Sequence, residues 1–191
     1  MPEIKMQLKE NHKIKNKKLF IFSVRTLYEA YFFCEIVKNI DVKCLILSFN
    51  EEASKLCAQK KVDYINIFNK KKYFDIKKIK NLNRNKIFHE KNEFNLKDVH
   101  QLKIKYLNYY AEIKKKLKNL GHNFEIIVFQ EIGGFVSHLS LFYYCKNFKI
   151  DHYFLEPSFF KNRFICLKNS FLIPKFKIYK KYNKSTEKLL N

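Results

Sequence analysis

Three short apolar runs, separated by two amphipathic patterns, leave the first 68 residues of this chain few ways to fold. Leu19-Phe20-Ile21-Phe22-Ser23-Val24, then Lys43 to Phe49, then Tyr64 to Phe68 are each short and rich in apolar, strand-forming residues. Runs of this kind read as strands buried on both faces. After the first, Thr26 stands where an N-cap belongs, and Leu27, Ala30, Tyr31 and Cys34 recur at helical spacing as far as about Asn39. After the second, Asn50 can cap a short helix holding Glu51, Glu52, Ala53, Leu56 and Cys57. Strand, helix, strand, helix, strand is the pattern of βαβ units. It requires a parallel sheet with right-handed crossovers.

The remainder extends the same alternation. Residues 69–94 interrupt it with a stretch rich in Lys and Asn, including Arg84 and His89, which reads as a solvated surface insertion. From Leu96 to Leu120 the positions Val99, Leu102, Tyr106, Tyr110, Ile113, Leu117 and Leu120 form one apolar stripe. Lysines load the end of that helix, and Gly121 is placed to terminate it. Phe124 to Phe129 reads as a fourth strand, a helix runs to about Phe148, and Ile150 to Leu155 is a fifth strand. Arg163 to Leu167 is either a sixth short strand or an ordered loop. The fold expected is therefore α/β: a Rossmann-like open parallel sheet of five to six strands, order 3-2-1-4-5, with helices on both faces. Residues 1–17 form a basic arm, 18–170 the domain, and 171–191 a basic linker or tail.

Composition marks where such a sheet would do chemistry. The chain has three glycines, three prolines and three arginines against 36 lysines, as if drawn toward AT-rich codons. The places that use the scarce residues therefore carry the most information. In an open parallel sheet, ligands bind beyond the carboxyl ends of the strands, where the strand order reverses. With the order above, the reversal lies between strands 1 and 4. Arg25 leaves strand 1, and Gln130-Glu131-Ile132-Gly133-Gly134 leaves strand 4. Strand 5 delivers Glu156, Pro157 and Ser158 beside them, with Arg163 following.

Each of these residues has a role to offer. Gly133 and Gly134 either let a ligand approach the N-terminus of the next helix or serve a tight turn that needs positive φ. Glu131 is a candidate general base or binder of sugar hydroxyls, with helix capping as the plainer role. Glu156 is held extended by the proline after it, and pairs with Glu131 for acid–base work or with Arg25 or Arg163 as an ion pair. His138, one turn into the helix, is a candidate base or hydrogen-bond donor, and a packed histidine otherwise. His152, inside a strand, reads as structural. Ser158 lacks the glycine-flanked elbow of a hydrolase nucleophile.

Several classes are disfavoured. No dinucleotide or phosphate-loop glycine pattern occurs. Five cysteines at 34, 44, 57, 145 and 166 include no C-x-x-C pair and lie mostly in apolar runs, so they read as buried free thiols, with no zinc-ligand spacing. The net charge of +21 suits a polyanion. Its near-exclusive use of lysine, however, fits a solvated surface with a loose attraction to anionic lipid better than base-specific nucleic-acid recognition. With no apolar leader or spanning run, the expected location is cytoplasmic.

The stretch from Glu131-Ile132-Gly133-Gly134-Phe135 and His138, through Ile150-Asp151-His152, to Glu156-Pro157-Ser158-Phe159-Phe160 and Arg163 resembles the N-terminal lobe of capsule and surface polysaccharide biosynthesis glycosyltransferases of the two-lobed GT-B type. The resemblance covers roughly residues 18–170. It implies a metal-independent transfer of a sugar from a nucleotide-activated donor to a glycan or glycolipid acceptor. On that reading Glu131 or His138 supplies the catalytic base. Gly133 and Gly134 line the cleft between lobes, and Glu156, Ser158 and Arg163 shape its floor, with Arg25 and Gln130 beside them. The nucleotide sugar would be held by a second lobe, which does not follow Phe171 here, so a truncated or split enzyme is implied. Two other readings stand beside it. One is a non-enzymatic domain that binds polyanions or a membrane surface. The other is a small nucleotide-binding α/β protein complete in itself.

Overall fold

In a computed structural model, the described residues are 17–67, 99–133, 135–157 and 164–170. Six strands form one sheet: β1 (Lys18–Val24), β2 (Cys44–Ser48), β3 (Tyr64–Asn66), β4 (Glu125–Gln130), β5 (Asp151–Pro157) and β6 (Phe164–Lys168). Their order is β3-β2-β1-β4-β5-β6. The first five pair in parallel, as the alternating pattern requires, and β6 returns antiparallel along β5. The stretch left open between strand and loop is thus a strand, and it makes the sheet mixed rather than wholly parallel. Asn169, in a left-handed conformation at φ 55°, ties it down: the His152 amide donates to its Oδ1 at 2.8 Å, and its own amide donates to the His152 carbonyl at 2.7 Å.

The helices are α1 (Leu27–Lys38), α2 (Glu51–Gln59), α3 (Val99–Lys118), the single turn α4 (Leu120–Asn123) and α5 (Val136–Phe148). They cover both faces of the sheet. Against one face, Phe22, Val24 and Ile46 pack on Ala30, Phe33 and Cys34 of α1 and on Ala53, Leu56 and Cys57 of α2. Against the other, Leu19, Ile21, Leu47 and Val128 pack on Ile113 and Leu117 of α3 and on Leu141, Tyr144 and Cys145 of α5. Alternation along each strand sends neighbouring residues to opposite faces, which is why both must be apolar. Burying a side chain the size of those in either cluster is worth about 1.5–3 kcal/mol. An aromatic row runs across the first face: Phe22 stacks on Phe129 at 5.0 Å, and Phe129 on Tyr153 at 5.5 Å.

Local sequence accounts for the helix starts. Asn50 caps α2, its side chain accepting from the Glu52 and Ala53 amides at 2.8 and 3.2 Å. Thr26 caps α1 in a full capping box with Glu29. Helix α5 has no such cap, because Phe135 at its N-cap offers no side-chain acceptor. It is instead held by burial: all ten residues from Val136 to Cys145 are buried, so it is enclosed on all sides over that length.

Three details depart from the sequence reading. Gly121 lies within α4 rather than closing α3, and a Cβ there would meet only Ile126 at 3.9 Å, so neither space nor backbone demands glycine. Cys166 is exposed on β6, whereas Cys34, Cys57 and Cys145 are buried thiols and Cys44 is half-buried. The third strand ends at Asn66, although Ile67 remains fully buried and bonds the Ser48 carbonyl. The basic arm, the insertion at 69–94 and the tail from 171 fall outside the described residues.

Candidate functional site

The strand order reverses between β1 and β4, because the chain builds β2 and β3 on one side of β1 and β4 and β5 on the other. Four elements place residues at the carboxyl end of that junction. From β1 come Arg25 and the capping box, from β4 Gln130 and Glu131, from α5 Ser137 and His138, and from β5 Glu156.

Glu29 is at the centre of the arrangement and is only 3% exposed. One carboxylate oxygen, Oε2, accepts from the backbone amides of Arg25 and Thr26, the latter at 2.8 Å. The other, Oε1, lies 3.4 Å from Nε2 of His138, which is 1% exposed. Burial alone would raise the Glu29 carboxyl. His138 and the two amides outweigh it and hold the group below its ordinary value, so it is an anion in the wall of the site.

Glu131 experiences the opposite balance. It is half-buried and lies near the Glu29 anion and Glu156, and among the described residues no cation or donor offsets them. Burial first, then the two carboxylates, push it up to about 7. Glu156 is also raised, chiefly by burial, although the Ile132 amide donates to its Oε1 and His138 lies close enough to pull it down. Two carboxyl groups with raised affinity for protons thus stand over a third that stays ionised. Environments that separate the titrations of neighbouring carboxyls in this way are those from which acids and bases are made.

The junction is unusually polar beneath its surface. Ser23 Oγ, Gln130 Oε1, Ser137 Oγ and Nδ1 of His138 are buried and make no hydrogen bond among the described residues, and Nε2 of His138 has only its 3.4 Å approach to Glu29. The Gln130 amide does reach the His138 carbonyl, at 3.5 Å. Buried polar atoms that are not hydrogen-bonded are costly and uncommon, and a cluster of them at one strand junction calls for an explanation. Arg25 places its guanidinium 3.0 Å over the ring of Phe135, a cation–π contact that ties the β1 loop to the start of α5. On the β2 side, a cavity of about 390 Å³ runs from Arg25 and Thr26 past Asn50 to Lys105 and Ser137.

Gly133 has a steric reason to be glycine. Among the described glycines none has positive φ, so the turn does not use that freedom. A Cβ at 133, however, would lie 2.5 Å from Nδ1 of His138 and 3.2 Å from the Phe135 ring. The glycine makes room for the imidazole to press against the loop and reach Glu29.

Of the candidates named from sequence, Arg25, Gln130, Glu131, Gly133, His138 and Glu156 are brought together here. Gly134, Ser158 and Arg163 lie outside the described residues. His138 forms part of the wall, and His152 is buried between the rings of Phe142 and Phe154, where burial and then His138 lower it to about 3. Glu29 was not among the candidates. The signal for it is legible, since Thr26 followed three residues later by Glu29 is a capping-box pattern. Nothing in the pattern says that the carboxylate also faces a histidine from α5. No group of three or more His, Cys, Asp or Glu residues among the described residues is arranged to hold a metal ion. No helix among them is long and apolar enough to cross a membrane.

Comparison with protein-family models, with curated proteins and with solved structures finds no match for this chain.

Proposed function

We propose that this chain is the acceptor-side lobe of a glycosyltransferase that builds capsule or surface polysaccharide, working with a second lobe that binds the nucleotide-sugar donor. The observation that supports this best is Glu131: a carboxyl at the strand-reversal edge whose proton affinity is pushed up to about 7. A general base works best when its own pKa lies near the working pH. In the reaction, Glu131 takes the proton of an acceptor hydroxyl as that oxygen attacks the anomeric carbon of the donor. The bond from that carbon to the nucleoside diphosphate breaks, and the diphosphate leaves on the partner lobe.

Other groups of the junction support that step. Glu156 can accept a hydrogen bond from a second acceptor hydroxyl. Glu29 keeps Glu131 basic through its nearby negative charge and is itself anchored by His138. The loop that carries Gly133 adjoins these carboxylates, with the Ile132 amide donating to Glu156 and Gly133 close against the His138 ring. Nucleotide sugars are cytoplasmic substrates, so the reading implies work at the cytoplasmic face of a membrane, on a glycan or glycolipid.

The test is acceptor binding, which a single lobe can perform. Saturation-transfer NMR against a panel of neutral oligosaccharides is expected to show binding that persists at high salt and is lost in Glu131→Ala and Glu156→Ala, with both variants retaining wild-type circular dichroism. Binding that is confined to heparin or DNA, falls steeply with salt and ignores Glu131→Ala would replace this reading with a polyanion-binding domain.

A further inference from the structure

A lysine-rimmed apolar cavity lies at the opposite end of the sheet from the carboxylates. Its volume is about 580 Å³, within the range of cavities that take small ligands. Leu117, Phe124, Ile126, Tyr144, Phe148 and Ile150 line it, from the end of α3, the start of β4, the end of α5 and the start of β5. Phe124 also lines a second cavity of about 290 Å³ with Leu19, Leu45 and Ile65. The apolar surface therefore continues on both sides of one ring.

The charges around it have one predominant sign. Lys114, Lys118 and Lys149 line the larger cavity and are exposed, with Glu125 the one acid beside them. Lys43 and the exposed Asp63 line the smaller one, and the Lys43 ammonium sits 4.7 Å over the Phe124 ring. Phe148 packs on Tyr144 at 4.7 Å yet remains 49% exposed, so a large aromatic lies open in a cavity whose rim carries three ammonium groups. Helices α3 and α5 both end here. Their dipoles favour cations at the backbone, so an anion is disfavoured inside the cavity and favoured only at the tips of the lysines.

We propose that this cavity binds an acyl chain of an anionic membrane lipid, with the lipid phosphate on Lys114, Lys118 and Lys149. The division of chemistry matches such a molecule: apolar walls within, positive charge confined to the rim. The net charge of +21 draws the chain toward a negative surface but does not choose which face meets it. The cavity does choose, and it directs the amino end of the sheet toward the bilayer. This inference stands independently of the sugar-transfer reading, because no residue of the carboxylate site takes part in it.

The chain has no tryptophan, so Phe148→Trp introduces a single reporter at the cavity. On adding phosphatidylglycerol vesicles, its emission is expected to move to the blue and to be quenched by lipids brominated along the acyl chain. Phosphatidylcholine vesicles are expected to do neither. In co-sedimentation, Phe148→Ser is expected to weaken binding about fivefold at unchanged charge. The charge reversal Lys55→Glu, at an exposed position of α2, is expected to change it by less than about twofold. Three results would overturn the proposal. Unchanged emission while the protein still sediments with vesicles would mean bulk charge alone. Emission already blue without lipid and unaffected by it would mean that the chain's own residues fill the cavity. Equal binding by Phe148→Ser and wild type would mean that the cavity plays no part.

Discussion

Replacing Glu131 by Gln should stabilise this protein, and only at neutral and alkaline pH. The folded chain holds the Glu131 proton to about 7, against an ordinary value of 4.5. Folding therefore favours the protonated form. The contribution to stability is fully present below 4.5 and is lost as pH rises to about 7. At roughly 1.4 kcal/mol per pH unit, the full penalty above that point would be ~3 kcal/mol. Glu131 is only half-buried, and solvent screening reduces this to ~1.5 kcal/mol. Gln has the shape of the protonated acid and carries no charge to bury. Urea unfolding of both proteins, followed by far-UV circular dichroism at several pH values, measures the difference. Subtracting one protein from the other cancels titrations outside the cluster. The expected result is near-equality around pH 4.5 and an advantage of ~1.5 kcal/mol for Glu131→Gln around pH 8. A difference that does not vary with pH, or a Gln variant less stable at pH 8, would mean that burial and the neighbouring carboxylates do not raise the proton affinity of Glu131.

Two further perturbations probe the same junction. Gly133→Ala forces a methyl against Nδ1 of His138 and is expected to cost about 1–3 kcal/mol by overpacking. In a double-mutant cycle with His138→Ala, a coupling of at least about 1 kcal/mol is expected, while simple additivity would assign the cost to the backbone instead. His152 is buried among aromatic rings and held neutral to about 3, so it contributes stability that is present above 6.5 and lost as pH falls toward 3. His152→Phe is therefore expected to unfold at lower pH than wild type in an acid titration followed by circular dichroism, and an unchanged midpoint would contradict this.

Much of the fold is legible in the order of apolar runs. Strands buried on both faces must be uniformly apolar, and Leu19 to Val24 and Cys44 to Ser48 satisfy that from sequence alone. The caps at Thr26 and Asn50 are equally legible, because a side chain that bonds its own neighbouring amides needs no distant partner. The antiparallel return of β6 was not legible. Its exposed positions Phe164, Ile165 and Cys166 lack polar alternation, and its register depends on Asn169, whose side chain and backbone bond His152 across the antiparallel pair. The site divides in the same way. Arg25, Glu131 and Glu156 follow from the rule that strand ends meet at the reversal. The Glu29–His138 contact depends on how two helices on opposite sides of the sheet approach one loop, and no periodicity records that.

The order of the strands also bears on how the molecule comes into being. β1 pairs in register with β4, Phe20 against Ile127, more than a hundred residues later in the chain. Closing so long a loop costs entropy before any contact repays it, so this pairing is expected among the slower events of folding. A ribosome would release β1, β2 and β3 as a local parallel unit well before β4 exists. The carboxylate junction has no partial form, since Glu29 belongs to the early half and Glu131, His138 and Glu156 to the late one. Until the halves meet, Glu29 has only its own amides to face, and Phe22 lacks the aromatic neighbour it will stack on. The early half must therefore keep one long edge of β1 unpaired during synthesis, which is where chaperone engagement or mispairing would act on this protein.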